Sequence, residues 1–113
     1  MATRITIRDQ YGYELTITSE SAPSNPLGYS PNATEYTVTD YKITYQGITY
    51  NCDNLNNKPK QFHLPNATTN ISGFTNSIVD VVITANPKVN DDDHPFVLIS
   101  IRNAIKKGEP DNT

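Results

Sequence analysis

Residues 3–18 read TRITIRDQYGYELTIT, and their reading decides the fold. Ile5 and Ile7 alternate with Arg4, Thr6 and Arg8, which is the period-two pattern of a half-buried strand. Tyr13, Leu15 and Ile17 repeat it. Between the two runs lies Gln10-Tyr11-Gly12. A three-residue hairpin loop needs a left-handed residue in its third place, and glycine adopts that conformation without steric cost. The resulting register sets Asp9 opposite Tyr13, Ile7 opposite Leu15 and Ile5 opposite Ile17, so turn chemistry and alternation put the apolar residues on one face.

Residues 41–52, YKITYQGITYNC, support a second hairpin about Gln46-Gly47. Tyr45 then faces Ile48, Ile43 faces Tyr50, Tyr41 faces Cys52, and Thr44 meets Thr49 on the other side. A slip of one residue would turn the apolar set toward water. Tyr36 and Val38 run in opposite phase to Tyr41 and Ile43, which calls for a β-bulge or strand break near Thr39-Asp40.

Further along, KQFHL (60–64) reads as a short strand ended by Pro65. IVDVVITA (78–85) and PFVLISIRN (95–103) are apolar on both faces for much of their length, as in central strands covered on both sides. NAIKKG (103–108) could make one helical turn ended by Gly108. The expected fold is all-β: a single-domain antiparallel β-sandwich, immunoglobulin-like or jelly-roll-like, with about seven or eight short strands over residues 1–103. Residues 104–113 read as a short tail.

The 113-residue chain suits one domain able to bury a core without disulfides or metal. Its formal charge of −3 argues against nucleic acid, which favours a basic face. No apolar run approaches the roughly 18 residues of a membrane span, and no signal peptide is visible at MATRITI. Cys52 is the one cysteine, which suggests folding in a reducing compartment. The hairpin register turns it inward beside Tyr41, where thiols are inert. Without a nucleophile elbow, phosphate loop or metalloprotease motif, the expectation is no enzyme.

Three loops exceed what connection requires: residues 19–34, with three prolines, 52–59 and 86–94. In the last, VNDDDHPF (89–96) offers Asp91, Asp92 and Asp93 as hard oxygen ligands for calcium, with Asp53, Asn54 or Asn90 as conceivable co-ligands. Consecutive residues of an extended chain point in opposite directions, so at most two of the three aspartates converge, and a solvated acidic turn is the simpler reading. His63 opposes Phe62 and Leu64 in phase and is expected on an exposed strand face. His94, before Pro95, is expected extended at a loop exit.

SNPLGY (24–29) resembles the Asn-Pro-x-x-Gly-aromatic loop of chagasin-type inhibitors of cysteine peptidases, which are immunoglobulin-like domains of similar length. HPF (94–96) stands at the place of their Arg-Pro-aromatic element, with His94 where that family has arginine. The resemblance covers about a dozen residues. It implies a wedge of Asn25, Pro26, Gly28, Tyr29, Pro95 and Phe96 for a protease cleft.

The favoured function is a non-catalytic, lectin-like carbohydrate-binding module. Sugars are held by amide and carboxylate groups with aromatic faces, and the loops supply Tyr29, Asn32, Asp53, Asn54, Asn56, Asn57 and Asn90. The alternatives are a self-assembling structural subunit of an appendage, crystal or particle, and a chagasin-like inhibitor. Partners are then a glycan, a protein surface or further copies of the chain.

Overall fold

The computed structural model describes residues 3–23, 29–30, 33–71, 74–75, 77–87 and 95–106. These residues form an all-β domain of nine strands: β1 (Thr3–Arg8), β2 (Glu14–Ser19), β3 (Tyr29–Ser30), β4 (Ala33–Thr39), β5 (Tyr41–Tyr45), β6 (Ile48–Tyr50), β7 (Lys60–Thr69), β8 (Ser77–Asn86) and β9 (Phe96–Lys106). All neighbours pair antiparallel, in the order β3-β4-β9-β8-β7-β1-β2-β5-β6. The architecture is the all-β, antiparallel, single-domain fold expected, with the strands hydrogen-bonded in one continuous order.

Both hairpins have the expected register. Ile5 pairs with Ile17 and Ile7 with Leu15. The loop closes by Asp9 N–H to Tyr13 O at 2.9 Å and Gly12 N–H to Asp9 O at 3.1 Å, with Gly12 at φ 94. In the second, Tyr45 pairs with Ile48 and Ile43 with Tyr50. Gln46 and Gly47 have φ values of 52 and 80, as a two-residue type I′ turn requires.

A single residue, Asp40, separates β4 from β5, which lie six strand spacings apart in the sheet order. Laid flat, six spacings would be roughly 29 Å, whereas two peptide units reach about 7 Å. The sheet must curl until these two strands meet end to end. Contacts across the curl agree. The Tyr50 and Phe62 rings stand edge to face at 5.1 Å, and the Tyr41 hydroxyl donates to Asn86 O at 3.1 Å. Asp40 has φ 53, so the phase reset expected at Thr39-Asp40 is a strand break through a left-handed residue.

Two bulges produce the bend. In β7 the register shifts between Leu64 and Ala67, and in β8 between Ile78 and Asp80. Asn66 takes φ 55, and its N–H reaches Asp80 Oδ1 at 3.3 Å. Pro65 thus does not end the strand as expected; it sits at the bulge, where a missing donor costs little. Beyond it β7 leaves β8 for β1, pairing Thr68 with Arg8 and Thr69 with Ile7. Asn70 extends this seam: its Oδ1 accepts Thr6 N–H at 3.0 Å, and its own N–H donates to Thr6 O at 3.2 Å.

The concave face forms one core, including Ile7, Leu15, Ile17 and Ile43 from one half and Val81, Ile83, Val97 and Ile99 from the other. Four further expectations are corrected. Residues 103–106 continue β9 and form no helical turn, so the strand overruns the boundary drawn at 103. Strands β8 and β9 are fully covered on one face only: Val82, Thr84 and Leu98 on the other are half-buried. Ile48 and Tyr13, read as inward, are each 54 % exposed because they overhang the sheet rim. Cys52 is also exposed, because β6 ends at Tyr50 and the chain turns away before the cysteine. No helix among the described residues is long and apolar enough to cross a membrane.

A methyl group at Gly47 would meet nothing within 4 Å, so the cost of Gly47→Ala is purely conformational. We expect about 1 kcal/mol of destabilisation, read as a Tm lowered by roughly 4 °C in thermal denaturation followed by circular dichroism.

Candidate functional site

The curl gathers the roots of the three long loops at one end of the sheet. Ser21, opening the first, accepts Thr39 N–H at Oγ (2.8 Å) and donates to Thr39 O (3.2 Å). Ser19 Oγ bonds the same carbonyl. Asn51 opens the second. Asn86 and Phe96, which pair with each other, flank the third, and Phe96 pairs with Thr39.

A cleft of about 340 Å³ lies at this crossover. Strand β2 and its extension contribute Thr18, Ser19 and Glu20; Asp40, Tyr41 and Lys42 come from the crossover and β5; Asn51, Cys52 and Asp53 close it from the second loop. The polar inventory is hydroxyls, an amide, three carboxylates and one ammonium. Tyr41 is buried and its hydroxyl is engaged by Asn86, so the cleft floor is fixed. Burial, with the nearby Cys52 thiol adding, pushes the Tyr41 phenol up to about 12, which keeps it neutral.

Of the anticipated ligand-binding residues, Asp53 lies in this cleft. Asn54 supports the loop from within: its Oδ1 accepts Asn51 N–H at 2.7 Å and its Nδ2 donates to Thr49 O at 2.6 Å. Asn56 and Asn57 are exposed and hold φ values of 53 and 61, which asparagine tolerates better than most residues. Tyr29 sits on β3, at the edge of the sheet. Asn32, Asn90, Asp91, Asp92, Asp93 and His94 lie outside the described residues, as do Asn25, Pro26 and Gly28 of the peptidase-inhibitor resemblance. Among the described residues, no group of three His, Cys, Asp or Glu is placed to hold a metal ion. His63 is exposed on β7, as its phase required. Glu20, Asp40 and Lys42 were not anticipated: Asp40 and Lys42 flank Tyr41 on the hairpin that leads to Asp53, and the β2–β5 pairing of Ser19 with Tyr41 brings Glu20 beside them.

The opposite end presents a second surface, also missed. Tyr11 is 78 % exposed and adjoins Tyr13 and Ile48 at the hairpin rim. Asp9 braces this rim. Its Oδ1 accepts the N–H groups of Tyr11 and Tyr13, each at 2.9 Å, and its Oδ2 accepts the Tyr45 hydroxyl. The Tyr45 bond is the main cause holding the Asp9 carboxyl below its ordinary 3.8, against the opposing effect of burial. Tyr45 in turn is pushed up to about 12, by burial first and then by Asp9.

Comparison with protein-family models, curated proteins and solved structures finds no match to this chain.

Two predictions follow from these environments. A carboxyl with a depressed folded pKa contributes stability above its unfolded pKa and loses it as pH falls through the folded value. Melting temperature should therefore drop below about pH 4, and Tyr45→Phe, which removes the main cause, should flatten that drop measurably. At the exposed Cys52, partial desolvation of the thiol first and the Asp53 carboxylate next push it above its ordinary value. Alkylation by iodoacetamide at neutral pH should be slower than for a free thiol, and Asp53→Asn should accelerate it.

Proposed function

We propose that this protein is a non-catalytic recognition module that binds carbohydrate in the crossover cleft. The observation that carries this reading is a polar cleft lined from the roots of the first two long loops, its floor tied to the root of the third by the Tyr41–Asn86 hydrogen bond. Long loops on a rigid sheet are where recognition concentrates, and carboxylates, amides and hydroxyls at fixed spacing match the hydroxyl pattern of a sugar ring. Asp53 and Glu20 accept from sugar hydroxyls, Lys42 donates, and Thr18 does either.

A glycan array, run in calcium and again in EGTA, tests the proposal. At least one glycan should bind. For that glycan, titration calorimetry should show Asp53→Asn and Glu20→Gln each weakening affinity about tenfold, the cost of a charged hydrogen bond. Tyr11→Ala, at the opposite end, should leave affinity unchanged. Loss of binding in EGTA alone would bring in a cation held by the aspartates at 91–93. A blank array in both conditions defeats the reading.

A further inference from the structure

Independently of carbohydrate binding, we propose that the convex face of β4, β9, β8 and β7 is the interface of a two-fold symmetric homodimer. The face turns away from the core, and it carries an apolar strip between charged residues. Leu98 and Val82 lie half-buried at its centre, and Ile78 and Phe96 are 41 % and 37 % exposed toward its ends.

The register makes this surface complementary to itself. One row across the strands runs Glu35, Ser100, Val82, His63. The next runs Thr37, Leu98, Thr84, Gln61. On the far side of the first row, Arg102 pairs with Asp80. Now place a second copy face to face, with the two-fold axis parallel to the strands and midway between β9 and β8. Rotation keeps each row in place and exchanges β9 with β8 and β4 with β7. Leu98 then lies over Thr84 of the other copy, and Val82 over the recess at Ser100, which is only 5 % exposed. Arg102 lies over the opposing Asp80, and Glu35 over the opposing His63. An isologous contact forms each of these pairs twice. Alternating large and small residues is how packed sheet faces interdigitate, and opposed charges fix the register between copies. A different partner protein would have to reproduce this pattern, whereas a second copy has it already.

The test uses the whole chain and needs no ligand. Sedimentation equilibrium should give a dimer whose dissociation constant rises at least tenfold for Arg102→Glu and for Asp80→Arg, since each places like charges together twice. Mixing the two variants in equal amounts should restore the dimer, because a heterodimer of R102E and D80R has opposite charges at both positions. That recovery separates contact between copies from any effect within one chain. Asp80 also accepts the Asn66 N–H. If circular dichroism shows D80R unfolded, the mixture of Glu35→Lys with His63→Glu serves instead, with the same expected recovery. A chain that stays monomeric at about 1 mM, where even weak association registers, overturns the proposal. So does a dimer indifferent to all four substitutions, or two folded variants that fail to associate when mixed.

Discussion

The constraint on which the structure depends is the length of one link. Asp40 alone joins strands that stand second and eighth in a nine-stranded sheet. No flat or gently twisted sheet satisfies it. The register shifts in β7 and β8 supply the bend, and the tyrosine and phenylalanine rings fill the inside of it. Ser19 and Ser21 tie down Thr39, the last residue before the link. The polar cleft lies beside this link, where the paired ends of β2 and β5 meet the loop that follows β6.

What could be read in advance was what is local. A glycine at the third loop position and two alternating runs determine a hairpin within sixteen residues, and the same holds about Gly47. The phase conflict between Val38 and Tyr41 pointed to the break at Asp40, but not to what the break accomplishes, because strand neighbours distant in sequence leave no local mark. The same blindness explains the misreadings. Pro65 looks like a terminator until a bulge accommodates it. Residues 103–106 look helical in isolation, yet they extend a strand whose partners are β4 and β8. Cys52 fits the hairpin alternation, but the strand stops two residues earlier.

The candidate site follows the same division. Asp53 could be picked out by residue type and loop position, whereas Glu20 joins the site through the β2–β5 pairing, and Asp40 and Lys42 join it as neighbours of Tyr41 on the local hairpin. The abundance of asparagine also has a partly different meaning from the one composition suggests. Asn56, Asn57 and Asn66 hold left-handed backbone, Asn54 braces its own loop, and Asn70 stands in for a strand along the β1–β7 seam. Amides that looked like ligands for a sugar are in good part ligands for the main chain.

The strand order also bears on how the chain comes together in time. β1 waits for β7, and β4 waits for β9, some sixty residues downstream in each case. A polypeptide emerging from the ribosome can close the first hairpin at once, but one edge of β4 stays unpaired until β9, the last of the described strands, has been made. Distant pairings of this kind slow folding. The vulnerable period is therefore during synthesis, when a half-finished sheet offers its unpaired backbone to any neighbouring strand, and protection by chaperones would matter most then.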